Sequence, residues 1–145
     1  MELYTYYRST SSYRVRIALA LKGLDYQALP VNLIAAPGGE HRQPAYLAIN
    51  PQGRVPALRT DDGALLVQSP AIIEYLDVHH PGSVRLIPRD ADAAMEVRML
   101  DRCFDNYIHT PLQKLVFNQL RPEADRDPWG VGEARAMLDT AYAWL

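Results

Sequence analysis

Four consecutive hydroxyl residues, Ser9 to Ser12, are the first candidates for chemistry in this sequence. An aromatic and apolar run, residues 3–7, precedes them, and apolar residues at near-helical spacing follow as far as Gly23. This order predicts a short buried strand, a hydroxyl-rich turn and an amphipathic helix. Ser and Thr are preferred helix N-caps, and Gly23 suits the left-handed position just past the helix end.

The hydroxyl run permits two interpretations. A helix N-terminus is a positive pole with free N–H donors, so it favours an anion, and a hydroxyl there can donate a hydrogen bond to a ligand thiolate. Such a bond would lower a thiol pKa from its unperturbed value of about 8.5. In the simpler interpretation, the hydroxyls only cap the helix. The stretch alone leaves both open.

The composition limits the class of protein. The chain has 145 residues, 48% of them hydrophobic, and a net charge of −2, which support a folded core and argue against a nucleic-acid partner. No apolar run is long enough for a membrane helix, and the N-terminus does not resemble a signal peptide. Cys103 is the lone cysteine, so an internal disulfide or dithiol site is excluded. These features predict a cytoplasmic protein without a membrane partner.

The first 80 residues read as alternating strands and helices. Residues 25–33 predict a second strand, which Pro30 confines to an edge or a bulge, and the helix between the two strands indicates a parallel pair. A turn at Asp62-Gly63 between two apolar runs predicts a hairpin. Ser69 as N-cap and Pro70 as first helical residue open the next helix. The resulting order, β-α-β-α-β-β-α, fits a thioredoxin-like α/β domain.

Residues 81–90 form a proline-marked linker, which divides the chain into domains at 1–80 and 91–145. The second part predicts a long helix over residues 91–120 that Pro111 kinks, and another over residues 132–145. Cys103 is expected in the core of this part. Two helices with large apolar faces bury themselves poorly, so we expect an incomplete all-α domain or a face covered by another chain. The adjacent histidines near residue 80 point to different faces, and we expect no metal site.

Three stretches together resemble the soluble glutathione transferases, and within them the zeta-like group. Residues 8–19, RSTSSYRVRIAL, look like the zeta signature SSCxWRVRIAL. Residues 50–58, NPQGRVPAL, and residues 68–76, QSPAIIEYL, are similar to the family motifs NPxxxVPxL and QSxAIIEYL. They occur in order with family-like spacing over the first 80 residues. The resemblance implies a thioredoxin-like domain that binds glutathione, an all-α second domain and a homodimer.

The resemblance also implies roles for individual residues. Ser9 matches the hydroxyl that activates the glutathione thiolate; Thr10 and Ser11 are its alternatives. The remaining glutathione contacts would be His41 at the glycine end, the Val55 peptide group before a cis Pro56, and Gln68 with Ser69 on the γ-glutamyl carboxylate.

The acceptor-substrate side is less well defined. Arg8 is placed to meet a substrate carboxylate, as in maleylacetoacetate and maleylpyruvate isomerases, or is an ordinary solvated arginine. The helix over residues 101–114, with Thr110 and Lys114 as candidate substrate contacts, matches zeta members only around Pro111. Tyr13 and Ser11 also replace the signature tryptophan and cysteine.

Three functions therefore remain open. The first is a transferase that adds the glutathione thiolate to a small electrophile. The second is an isomerase that uses glutathione without consuming it. The third is a glutathione-binding module without catalysis.

Overall fold

The computed structural model describes residues 1–82 and 84–145, which form two compact units, Met1–Ile87 and Pro88–Leu145. Within the predicted linker, Ser83 lies outside the described residues. None of the described helices has the length and apolar character needed to cross a membrane.

A four-stranded mixed sheet forms the centre of the first unit, in the order β2-β1-β3-β4. Its strands are β1 (Glu2–Thr5), β2 (Gln27–Pro30), β3 (Ala57–Arg59) and β4 (Leu65–Val67). β1 and β2 are parallel, and the other pairs are antiparallel. The predicted parallel pair and hairpin are confirmed, although the first two strands are shorter than predicted. Pro30 lies on the edge strand, where its missing N–H costs no ladder bond.

Helices cover both faces of this sheet. They are α1 (Thr10–Leu21), α2 (Pro44–Leu47) and α3 (Ser69–His79). The core lies between the sheet and the α1/α3 pair, where Leu3, Leu58, Val15, Leu19, Ile72 and Leu76 are fully buried. On the opposite face, Tyr46 of α2 packs edge-on against Tyr4, because successive strand residues point to opposite faces. The predicted thioredoxin-like fold is confirmed.

Local chemistry accounts for the ends of α1. The Ser9 hydroxyl accepts a hydrogen bond from the Ser12 N–H at 3.1 Å, so Ser9 is the N-cap. Gly23 has φ +64° just beyond the helix, as predicted. The start of α3 differs from the prediction. Ser69 is its first helical residue and Gln68 occupies the cap position with φ 70°, so the prediction that Ser69 is the N-cap is wrong.

Every secondary-structure element of the second unit is a helix, in agreement with the predicted all-α domain. It contains α4 (Ala91–Cys103), a π-helical segment (Phe104–His109), α5 (Thr110–Leu120) and α6 (Pro128–Trp144). The π-helical segment ends just before Pro111. Proline cannot donate its hydrogen bond and clashes with the preceding turn, which accounts for the irregularity there.

Two sequence predictions for this unit are wrong. α6 begins at Pro128 rather than near residue 132, because Asp127 caps it by accepting from the Gly130 N–H at 2.8 Å. Cys103 is half-buried rather than a core residue. The nearby apolar side chains Met99 and Phe104 are 46% and 47% exposed, so this part of the helix does not form a core within the described unit.

Candidate functional site

The strand register brings the N-terminal site candidates to one edge of the sheet. Tyr4 lies opposite Ala57, and Ala57 lies opposite Val67. The chain just beyond this edge carries the hydroxyl run after β1, the Val55–Pro56 pair before β3, and Gln68 with Ser69 after β4. Residues up to 60 positions apart in sequence, Ser9 and Ser69, therefore meet at one end of the domain.

Ser9 combines the two roles that the sequence left open. Its Oγ accepts the cap hydrogen bond from Ser12, which uses a lone pair and leaves the hydroxyl proton unused. No described residue accepts that proton. Capping and donation to a ligand anion are therefore compatible, and the cap bond polarises the hydroxyl in the direction that donation requires.

The neighbouring hydroxyls differ from Ser9 in their surroundings. Thr10 is exposed on the first turn of α1, whereas Ser11 is half-buried and has no hydrogen-bond partner among the described residues. Ser12 is fully buried, and its Oγ also lacks a partner there. Sequence reasoning did not single out this buried hydroxyl beside the helix N-terminus.

Two side chains hold the backbone just before Val55. Tyr46 Oη and Asn50 Nδ2 each donate to the Arg54 carbonyl at 2.7 Å. Burial raises the pKa of Tyr46 to about 12, so its hydroxyl remains a proton donor at neutral pH. The Val55–Pro56 peptide bond is cis, as the resemblance implies, and no described residue bonds the Val55 N–H or carbonyl. Sequence reasoning missed the Tyr46–Asn50 clamp, although Asn50 opens the motif that contains Val55.

The start of α3 lacks an ordinary N-cap, because the cap residue Gln68 has positive φ and its side chain makes no cap hydrogen bond. Gln68 is the only non-glycine among the described residues with positive φ, and its side chain is exposed. Such conformations cost roughly 1–3 kcal/mol and tend to occur at functional sites. Ser69 is 3% exposed, and its Oγ accepts a hydrogen bond from Arg14 Nε at 2.7 Å.

His41 lies in a short 3₁₀ turn, Glu40–Arg42, that packs near the Val55 segment. A Cβ placed on Gly53 would lie 3.0 Å from the His41 carbonyl, so these two backbones are close. Burial, with a smaller effect from the charge of Arg42, lowers the pKa of His41. Its Nδ1 is buried and has no hydrogen-bond partner among the described residues, which leaves one hydrogen-bonding position of the ring unfilled.

The remaining arginines and the helical candidates have different surroundings. Arg8 is exposed and forms no ion pair within the described chain. The guanidinium of Arg16 lies over the Tyr13 ring at 5.2 Å and donates to the Tyr7 carbonyl. In the second unit, Thr110 donates to the Asp105 carbonyl, and Lys114 lies 3.7 Å from Glu133.

Residues 8–79 match the family model described as the glutathione S-transferase N-terminal domain. The chain belongs to the glutathione S-transferase family. A maleylacetoacetate isomerase from Pseudomonas aeruginosa is 82% identical over 81 residues, which cover 56% of this chain and 38% of that protein. The chain spans about half the length of the curated relatives that it matches.

Solved structures of this family agree with the fold over almost the whole chain. A maleylpyruvate isomerase described as a bacterial zeta-class glutathione S-transferase has a TM-score of 0.76 at 38% identity, covering 99% of this chain and 64% of its own. A maleylacetoacetate isomerase from Methylobacterium extorquens AM1, with bound malonate and glutathione, has a TM-score of 0.73 at 34% identity, with 99% and 64% coverage. The predicted resemblance to the zeta-like group is confirmed.

The chemistry of the sheet edge fits glutathione, which carries one thiol, peptide groups and two carboxylates. A helix N-terminus with a free hydroxyl proton suits the thiolate. An unpaired backbone segment at Val55 suits a peptide group, and the first turn of α3 suits a carboxylate. Within residues 1–82 and 84–145, no group of three or more His, Cys, Asp or Glu side chains is arranged to hold a metal ion.

Proposed function

We propose that this protein binds glutathione at the sheet edge and activates its thiol. The carrying observation is the Ser9 hydroxyl, which is held as N-cap by Ser12 while its proton stays unused. In this role Ser9 donates that proton in a hydrogen bond to the sulfur, and the N-terminal turn of α1 contributes its positive potential. Bound glutathione supplies a nucleophilic thiolate for addition to the electrophilic carbon of a small substrate.

The other proposed contacts with glutathione use groups of the chain that have unused hydrogen-bonding capacity. The Val55 N–H and carbonyl pair with the cysteinyl backbone, and the Tyr46–Asn50 clamp holds that segment in position. Gln68 and Ser69 hold the γ-glutamyl carboxylate, and His41 approaches the glycine end. Thr10 and Ser11 remain alternatives to Ser9 as the activating hydroxyl.

A second candidate function, cis–trans isomerisation of a maleyl keto acid, is favoured by Arg8. This side chain is exposed, forms no ion pair among the described residues and directly precedes Ser9. An unpaired guanidinium binds a carboxylate bidentately, which suits a dicarboxylate substrate beside the thiol. The relatives named as maleylacetoacetate isomerases support the same choice. In this version glutathione is regenerated in each turnover, and Thr110 and Lys114 are candidate contacts on the substrate side.

The experiment that tests thiol activation is a pH titration of the ultraviolet absorbance of bound glutathione thiolate. We expect the wild-type protein to lower the thiol pKa below about 8.5, and Ser9→Ala to return it toward that value. Ser11→Ala and Thr10→Val are the matched controls and should leave it unchanged. An unperturbed thiol pKa in the wild-type protein contradicts activation and favours a binding module. A depressed pKa that only Ser11→Ala abolishes moves the role to Ser11.

The choice between transferase and isomerase requires a separate measurement. Conversion of a maleyl keto acid with no loss of free thiol identifies the isomerase, and Arg8→Met should then raise KM for that substrate. Consumption of thiol with a simple electrophile, unaffected by Arg8→Met, identifies the transferase.

We also infer that the protein acts as a cytoplasmic homodimer, as the resemblance implies. Large exposed apolar side chains such as Phe117 and Trp129, at 56% and 73%, support coverage by another surface. Sedimentation equilibrium measures the mass directly, and a monomer at micromolar concentration contradicts the inference.

A further inference from the structure

Arg14 connects the two helix N-termini that the proposed function uses. It lies on α1, four residues after Thr10, the first residue of that helix, and its side chain contacts the first residue of α3. Its Nε–H donates to Ser69 Oγ at 2.7 Å, across 55 positions of sequence. Ser69 is 3% exposed, so hydrogen bonds from solvent water do not compete with the bond from Arg14 in orienting its hydroxyl.

This contact determines whether the Ser69 hydroxyl is free to donate or to accept a further hydrogen bond. A hydroxyl has one proton to donate and two lone pairs to accept with, whereas a guanidinium only donates. The Ser69 proton therefore points away from Arg14. As the first residue of α3, Ser69 has no helical carbonyl four positions earlier to accept it, and no other described residue does so. Ser69 is left as a donor that needs an acceptor from outside the chain.

The same logic applies at Ser9, where a backbone N–H occupies the oxygen and leaves the proton unused. Two serines at one sheet edge are thus both held as outward donors, one by Ser12 and one by Arg14. An anion accepts such a hydrogen bond more strongly than a neutral group does. The arrangement suits a ligand with a thiolate and a carboxylate at separate points.

We propose that Arg14 is a positioning residue that makes Ser69 an obligatory hydrogen-bond donor to the α-carboxylate of the γ-glutamyl residue. This inference rests on the proposed function, because it specifies which part of glutathione the start of α3 selects. Arg14 touches Ser69 and acts through it. Lysine does not reproduce the role, since its ammonium is a point charge on a flexible stem and lacks the planar fork of donors.

The test compares two probes by titration calorimetry: glutathione, and glutathione whose γ-glutamyl α-carboxyl group is amidated. We expect Arg14→Met to weaken glutathione binding about tenfold, the effect of losing one well-oriented bond to a charged group. Binding of the amidated probe should not change. Arg14→Lys should behave like Arg14→Met, and it retains the positive charge if the methionine variant does not fold.

Two further measurements separate positioning from a general structural role. Arg16→Met is the matched control on the same helix, because Arg16 contacts only Tyr7 and Tyr13 among the described residues; it should leave binding of both probes unchanged. Ser69→Ala should weaken glutathione binding as much as Arg14→Met does, and the double variant should lose no more than either single variant. The thiol pKa of bound glutathione should stay at its wild-type value in the Arg14 variants.

Three results would overturn the inference. Equal weakening of both probes in the Arg14 variants would show that Arg14 supports the fold without selecting the carboxylate. Additive losses in the double variant would show that Arg14 does not act through Ser69. If the wild-type protein binds neither probe, the proposed function itself fails, which is a different outcome from selective loss in the variants.

Discussion

Asp77 is a buried carboxylate of the first unit whose oxygens accept several hydrogen bonds, and its removal gives the sharpest stability prediction. The side chain is 2% exposed and accepts three hydrogen bonds: from Lys22 Nζ at 3.0 Å, the Leu86 N–H at 2.8 Å and the Ile87 N–H at 3.1 Å. It thereby fastens the chain after α3 to the helix itself. We expect Asp77→Ala to destabilise this unit severely.

The magnitude follows from what the substitution leaves behind. Lys22 is also 2% exposed at its side chain and, among the described residues, would keep only the Val84 carbonyl, at 3.1 Å. Breaking a buried ion pair by removing one partner costs about 3–5 kcal/mol. That is a large part of the roughly 5–15 kcal/mol that stabilises a whole domain. Asp77→Asn retains an acceptor oxygen, so we expect a smaller loss of about 1–3 kcal/mol.

The assay must report on the first unit specifically. Both tryptophans, Trp129 and Trp144, lie in the second unit, so their fluorescence does not follow unfolding of the first. Urea unfolding followed by hydrogen exchange of the buried amides of the first unit, with the Leu86 and Ile87 amides followed separately, is suitable because each amide reports on its own unit. Asp25→Ala is the matched control, because Asp25 is exposed and should change stability by no more than about 0.5 kcal/mol.

The pH dependence gives an independent check. Burial acts to raise the pKa of Asp77, but the hydrogen bonds from the Leu86 N–H, Lys22 and the Ile87 N–H outweigh it, and the pKa lies below its ordinary value. The stabilising contribution is therefore complete above about pH 3.9 and is lost as the pH falls through the folded-state pKa. Asp77→Asn should lack this loss. A cost for Asp77→Ala equal to that of Asp25→Ala, with both amides still protected, would refute the reasoning.

Two further predictions concern the sheet edge that carries the candidate site. Gly53→Ala should lower the free energy of unfolding by about 2 kcal/mol, and Gly63→Ala by about 1 kcal/mol. Both glycines have positive φ, but only a Cβ at Gly53 would meet backbone, 3.0 Å from the His41 carbonyl. Equal losses of unfolding free energy in urea would contradict this. His41 has a lowered pKa, first from burial and then from the charge of Arg42, so the unfolded chain binds the proton first as the pH falls below about 6.5. The free energy of unfolding should fall with pH from there down to the folded-state pKa, and His41→Gln should remove that slope; parallel curves for the two proteins contradict it.

Features set by neighbouring residues were predictable from sequence. The hydroxyl run marks the start of α1, Gly23 its end, and Pro30 the edge strand, because capping, left-handed φ and a missing N–H act within a few residues. The order and spacing of three short motifs were enough to identify the family. The same local rules misplaced the cap of α3, since a serine before a proline suits the N-cap position but Ser69 instead bonds Arg14.

The sequence by itself determined the thioredoxin-like order of elements, the family and the residue types available for binding a thiol peptide. Only the tertiary structure decided how those residues work. The Arg14–Ser69 bond and the Lys22–Asp77 pair each join positions 55 residues apart, and no local pattern encodes them. Packing of α1 against α3 creates both contacts. Whether a hydroxyl donates or accepts depends on such partners, because each partner uses one of the few hydrogen-bonding positions that the group has.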